Sequence, residues 1–568
     1  MKFVRQNLYA LVGYLLLTLI MTYPLVLNFN KAIPGDGFDG WQNYWNLWWV
    51  KRALVDLGEN PFFTNYLYYP TGVSLYFHTL NIFNGLLTLP LQSLFSLTVA
   101  YNVVVLFSFV AAGYGTYLLV LYLLRAWEKG GMEATESQAS TLLNLPTSKL
   151  VAFVAGLVYT FSPFHFAHLL GHMQVFSSEW LPFYALALIR GFDRLRDFDL
   201  GMQEARGQRS ASGIWPLLAA IWPAALFSIL ATLCDWYNAL YLSLFTALYL
   251  GYLGYKGYAK GFNPFIYLRR PLLIVWGIGL AFALVLWPLL WPMLQEASKA
   301  DYMVPDPQHT LLLSADLLAF VTPNEMHPLW GEKVRAWSER FTGPISERTV
   351  FAGYTALFLA ALGLWKRRAR TGFWALSSLI FAVFSLGPIL HVEGRSTFTV
   401  FQTTVPLPYL VLYYLFPFAK IARSVSRFDA MVMLSLAVLV GFGLETVLAR
   451  LGNQCKKSAV YIRITLSALA AAIICFEFLA IPYPISAPDT PAFYLALAQE
   501  KDDYAVLNLP MDWDRPNCLL YQTVHGKRLT SAYTSRDNPR SIVERTPVLQ
   551  HFRYLGPDII AQDIGLIG

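Results

Sequence analysis

Pro271-Leu-Leu-Ile-Val-Trp-Gly-Ile-Gly-Leu-Ala-Phe-Ala-Leu-Val-Leu-Trp-Pro-Leu-Leu-Trp-Pro-Met-Leu-Gln295 contains no charged residue between Arg270 and Glu296. As an α-helix rising about 1.5 Å per residue, it is long enough to cross a hydrocarbon core of about 30 Å. Similar stretches recur along the 568 residues, at 7–28, 100–124, 149–163, 173–191, 214–233, 237–255, 348–366, 372–391, 427–448 and 461–482. Composition agrees: 56% of residues are hydrophobic and only 14% charged, with a mean hydropathy of +0.45. Soluble domains carry about 25% charged residues, so soluble, disordered and collagen-like classes are excluded. The four cysteines are scattered without metal-type spacing, so a disulfide scaffold is excluded too.

Charge sets the expected orientation. Lys2 and Arg5 precede the first span. Arg125, Lys129 and Lys149 lie in one later connection, Arg190 to Arg209 in the next, and Lys256 to Arg270 in a third. Lys366 to Arg370 and Arg450 to Arg463 complete the series. With the N-terminus inside, all these basic regions fall on the cytoplasmic side, as the positive-inside rule requires. The net charge of +7 is thereby accounted for by membrane flanks, and no nucleic-acid partner is expected. The apolar pieces 79–97 and 406–418 break the alternation and are interrupted by Pro or Gly, so they read as re-entrant or interfacial. The expected fold is an all-α polytopic bundle of about 11–13 transmembrane helices in the cell membrane, the partner being the lipid bilayer. Its N-terminus is cytoplasmic and its C-terminus extracytoplasmic. Residues 1–482 form the transmembrane domain, with a first outer loop at 29–99. Residues 483–568 form a small α/β outer segment, with a strand expected in Tyr504–Pro510. This segment reads as possibly truncated at Gly568.

The outer loops carry the chemistry. The first begins Pro34-Gly-Asp36-Gly-Phe-Asp39-Gly-Trp41, and a helix is expected over 40–57. Asp39 suits an N-cap, which explains one carboxylate but not Asp36 beside it. Two acids at the lipid–water boundary also suit a general base or a divalent metal site. Trp45 and Trp48 on that helix fit either an interfacial belt or stacking on a ligand. His78 follows in the same loop. His165, His168 and His172 are spaced to share one helix face, and Gln174 and Glu179 come soon after. An acid such as Glu179 inside an apolar stretch is costly and commonly functional. Asp235 sits in a tight turn where a helix cap is an adequate account. Lys420, Arg423 and Arg427, again spaced for one helix face, fall on the outer side against the charge rule. Arginine binds phosphate in bidentate fashion, so an anionic partner such as a lipid-linked phosphate suits them; snorkelling to head groups is the plainer reading.

The order of these features carries a resemblance. Gly35-Asp-Gly-Phe-Asp39, Tyr68-Tyr-Pro-Thr-Gly72, Ala100-Tyr-Asn102, Gly156 to Pro163, His172-Met-Gln174 and Trp180-Leu-Pro182 cover roughly residues 1–200. Gly353-Tyr354, Arg423 to Phe428, and Tyr521 to Lys527 extend the match more loosely. The chain resembles prokaryotic multi-pass glycosyltransferases of the C-type superfamily, related to protein mannosyltransferases and aminoarabinose transferases. The resemblance implies transfer of a sugar from a polyprenyl-phosphate donor to a lipid, glycan or protein acceptor at the outer membrane face. It implies an acidic base in the first outer loop, matching Asp39 or Asp36. The spacing departs from the adjacent acid pair of protein mannosyltransferases. The remaining named residues would bind donor or acceptor, no cofactor being required. A lipid-linked-sugar transporter and a non-catalytic envelope assembly protein are the competing readings.

Overall fold

The computed structural model describes residues 2–130, 145–204, 215–398, 403–454, 459–509, 511, 516–536 and 542–554. Among these the chain is an all-α membrane bundle with only two-residue strands, paired as four separate ladders. Each expected span coincides with a helix, from Lys2–Met21 to Ala459–Glu477, although the ends differ. Among the described residues five helices are long and apolar enough to cross a membrane, six if the bent pair Thr147–Thr160 and Pro163–Leu169 is one span. The others fall short of the expected count because they are shorter or carry more polar residues. The stretch 173–191 is divided: Met173–Phe176 is one short helix, and the long helix starts only at Trp180. The pieces outside the alternation are short. Ile82–Leu94 and Tyr409–Leu415 rise about 20 Å and about 10 Å, too little to cross.

Burial ranks the helices. The most apolar stretch of Val425–Leu451 is almost wholly buried, which puts it at the centre, whereas that of Pro264–Ala297 is mostly exposed, which puts it at the edge. Trp276 and Leu284 on that edge are exposed, as they can be only towards lipid. The central helix Asp429–Gln454 packs tightly on Tyr354–Lys366. Gly443 permits the approach: a Cβ there would stand 1.9 Å from the Leu359 carbonyl oxygen. In lipid such close backbone packing replaces the hydrophobic drive between helices.

Local caps fix the connections at the site end. Asn81 accepts from Asn84 N–H (3.1 Å), Ser162 from His165 N–H (3.3 Å) and Asp235 from Tyr237 N–H (2.9 Å). Each satisfies one of the free N–H groups at its helix start. Glu477 accepts from both the N–H and the hydroxyl of Thr355, closing the start of Tyr354–Lys366.

The C-terminal segment is bound into the first loop. Ile33–Pro34 pairs antiparallel with Ile485–Ser486, and Ala505–Val506 pairs parallel with Arg528–Leu529. The strand expected over Tyr504–Pro510 is thus only Ala505–Val506, and Pro510 is outside the described residues. Leu529 N–H donates to Tyr66 O, and Tyr69 N–H donates to Leu529 O. Trp45, Trp49, Leu67, Leu519, Leu529 and Phe552 share one hydrophobic core. Such a core, built from both chain regions, fixes the tail over the helix Asp39–Lys51.

Candidate active site

Asp39 is the first residue of its helix, not the cap; Phe38 takes that position without a side-chain cap bond. The Asp39 carboxylate faces Tyr533 and His172 instead. Tyr533 O–H donates to Oδ1 at 2.7 Å, and His172 Nε2 lies 3.2 Å from Oδ2. Gly171 makes this approach possible, since a Cβ there would meet Asp39 Cβ at 2.8 Å. Asn43 locks the two segments by donating to the Gly171 carbonyl at 2.5 Å. Burial would raise the Asp39 carboxyl, but the hydrogen bond and charge of His172, with the Tyr533 bond and the Arg427 charge, hold it below its ordinary value. Asp36 has another fate: it is exposed, and its Oδ1 accepts from Phe38 N–H at 3.0 Å. Among the described residues no three His, Cys, Asp or Glu side chains converge to hold a metal.

The histidines do not share one helix face, because the helix Pro163–Leu169 ends before His172. His165 is structural: its ring nitrogens lie 2.8 Å from Thr160 O and 2.5 Å from Phe176 O. His168 is buried, and neither ring nitrogen has a hydrogen-bond partner among the described residues. Its ring meets His172 at 5.4 Å between centroids, and the charges of Glu347 and Arg427 reach it. His78 belongs to the scaffold. Its Nδ1 accepts from Ser535 N–H (3.3 Å), so Nε2 carries the proton and faces Asn46 Oδ1 at 3.1 Å. Burial pushes it down to about 3, so it stays neutral.

The basic segment is also rearranged. Lys420, Arg423 and Arg427 do not lie on one helix; two short 3-10 turns, Pro417–Ile421 and Val425–Phe428, divide them. Arg427 is buried and paired, with Nη2 at 2.6 Å and Nε at 2.9 Å from Glu347 Oε1. Ser426 Oγ donates to the other Glu347 oxygen. Burial opposes ionisation of Glu347, yet the Arg427 charge and the nearby histidines bring it down to about 2. Arg427 is therefore already neutralised, and Lys420 lies apart over the ring of Tyr413. Arg423 is half-buried and makes no hydrogen bond or ion pair among the described residues. Beside it comes Arg536 from the C-terminal segment, whose Nη2 donates to Ile421 O at 2.8 Å. Burial and the like charges of Arg423 and Arg427, against the pull of Tyr237, bring Arg536 down to about 10. It remains charged at neutral pH.

The other expected ligands lie behind this cluster. Trp45 is fully buried and its Nε1 donates to Gln522 Oε1 at 2.7 Å, so it offers no face to a ligand. Trp48 is half-exposed, edge-on to Tyr66. Glu179 is sealed inside the bundle, accepting from Ser108 Oγ at 2.5 Å. Gln174 is buried with Oε1 unpartnered. Asp235 caps its helix, and burial raises its carboxyl, although the Arg427 and His172 charges reach it.

Glu347, Tyr533 and Arg536 were not foreseen. Glu347 sits beside Arg348 in the chain, but Arg348 pairs with Glu325 at 2.9 Å. Tyr533 and Arg536 stand in a polar tail with no periodicity to mark them.

An apolar groove of about 480 Å³ runs between the helices Trp236–Ala259 and Arg368–Ser385, lined by Leu248, Tyr252, Tyr255, Leu376 and Ile380 among others. At one end Phe381 and Phe384 touch Phe428, with ring centroids at 6.0 and 5.6 Å. Phe381 and Phe428 are both fully buried, and Arg427 precedes Phe428 in the chain. A second cavity of about 420 Å³, lined by Trp330, Phe351 and Phe476, is apolar and separate from the charged cluster.

No family model matches the chain, and no curated protein matches it. Among solved structures it is similar to the archaeal oligosaccharyltransferase AglB from Archaeoglobus fulgidus in complex with an inhibitory peptide and a dolichol-phosphate. That similarity has a TM-score of 0.49 and 14% identity, over 93% of this chain and 64% of that one. A complex of the Archaeoglobus fulgidus oligosaccharyltransferase with Zn and sulfate gives 0.48 and 12%, over 92% and 62%. The chain spans less than two thirds of the length of either.

Proposed function

We propose that this protein is a membrane glycosyltransferase that takes a sugar from a polyprenyl-phosphate donor and gives it to a hydroxyl acceptor at the outer membrane face. One observation carries the reading: Tyr533 holds the Asp39 carboxylate while Arg536, three residues on, is held against the segment of Arg423, so an acid and guanidiniums distant in sequence meet at one end of the bundle. The Arg427 charge acts on Asp39 itself.

The parts have complementary tasks. The prenyl chain lies in the groove beside Leu248 and Ile380. The phosphate meets Arg423 and Arg536, the two guanidiniums not offset by Glu347. Asp39, oriented by His172, takes the proton of the acceptor hydroxyl as its oxygen attacks the anomeric carbon. The carbon–oxygen bond to phosphate breaks, and the charge left on phosphate is stabilised by the arginines. Glu347 holds Arg427 in place and does not touch the reacting atoms.

The test is transfer from a labelled short-chain polyprenyl-phosphate hexose by the full chain in lipid nanodiscs. Asp39→Asn removes the base and lowers transfer by about 10²–10⁴-fold. Undiminished transfer in that variant would reject Asp39 as the base. The double change Arg423→Gln and Arg536→Gln raises the donor KM; an unchanged KM would reject the phosphate assignment.

A further inference from the structure

Asp39 Oδ1 is already occupied by a hydroxyl. Tyr533 O–H donates to it at 2.7 Å, the geometry that an acceptor hydroxyl needs for proton transfer. The tyrosine is held there on several sides. Tyr68 O–H donates to Ala532 O at 2.5 Å, and Thr79 N–H donates to Ser535 Oγ at 3.2 Å. Ser535 is also tied to His78, and Arg536 to Ile421. Phe38 meets the Tyr533 ring edge-on at 5.9 Å. The segment Ala532–Arg536 is thus a strap whose anchors lie on either side of one phenol.

Resting on the transferase reading above, we propose that Tyr533 is a specificity-determining residue that stands in for the acceptor hydroxyl. The phenol fills one acceptor direction of Asp39 Oδ1 and Nε2 of His172 one of Oδ2, so a water must compete with both for the carboxylate. An acceptor able to contribute further contacts displaces the phenol; a lone water molecule does not. The reaction suppressed is hydrolysis of the donor: water attacks the anomeric carbon, its proton passes to Asp39, and the carbon–oxygen bond to phosphate breaks. Tyr533 makes no covalent change.

The experiment follows release of free sugar from the same labelled hexose donor, without acceptor, by the full chain in nanodiscs. Tyr533→Phe keeps the ring and its contact with Phe38. Release is expected to rise about tenfold, the worth of one hydrogen bond to a charged group, and the double variant with Asp39→Asn is expected to lose it. The groups facing Asp39 are His172, Tyr533 and, further away, Arg427. Loss of the Tyr533 bond removes one influence holding the carboxyl down, so the acidic limb of the release profile moves to higher pH. Release at the wild-type rate with an unmoved pH limb would overturn the proposal while leaving the transferase reading intact. If wild type neither transfers nor releases sugar, the transferase reading fails and this proposal with it. Should Tyr533→Phe prove unstable, Ser535→Ala loosens the same strap from His78, and its release rate decides the question by the same criterion.

Discussion

Asp39 and Glu347 are both carboxylates placed at the same end of the bundle, and each is held below its ordinary titration range. Their surroundings assign them opposite work. Glu347 is buried and spends both oxygens on Arg427 and Ser426. Asp39 is partly exposed, held by a histidine and a phenol that a ligand can replace. A buried ion pair without a free face is scaffold, whereas a lightly held carboxylate at an opening can exchange protons. The same contrast separates Arg427 from Arg423.

The comparison breaks most readily at Glu347. Glu347→Ala leaves the buried Arg427 uncompensated and should cost about 3–5 kcal/mol of stability, read as a lowered unfolding midpoint in detergent. Asp39→Asn should leave that midpoint nearly unchanged while transfer is lost. If the two variants lost stability equally, the division into scaffold and working carboxylate would be wrong.

Acid sharpens the contrast. The folded Glu347 carboxyl titrates below its unfolded value, so its contribution to stability is present above the ordinary 4.5 and disappears as pH falls towards about 2. Asp39 is depressed in the same direction, so it remains ionised as pH first falls below the usual carboxylate range. Stability in wild type should therefore fall with acid through that window, and a Glu347→Gln variant should show a shallower fall. Unfolding midpoints across pH would check this.

The smallest effect is expected at Asp36. Its carboxylate is exposed and among the described residues accepts only the nearby Phe38 N–H, so Asp36→Asn should change transfer and stability by no more than about twofold in rate or about 0.5 kcal/mol. A loss as deep as that of Asp39→Asn would return the pair to equal standing.

Much of this was legible beforehand. The helices were visible because uncharged runs such as Pro271–Gln295 have one stable outcome in lipid. Asp39 and the helix after it were visible from the Gly-rich turn and the tryptophans. The aromatic reading failed at Trp45, since an interfacial ring and a core ring have the same composition signature, and only Gln522 reveals which it is. The helical spacing of Lys420, Arg423 and Arg427 misled because spacing implies a shared face only when the segment is helical throughout.

By itself the sequence determined that the chain is a polytopic helical bundle, and which loops carry acids, histidines and arginines. Those are local properties, set by backbone satisfaction in lipid and by charge. The tertiary structure alone decided which charges are spent and which are available. Glu347 reaches Arg427, and Tyr533 reaches Asp39, across 80 and 494 residues of chain. No local pattern records such pairings, because they arise only when packing brings the loops to one end of the bundle.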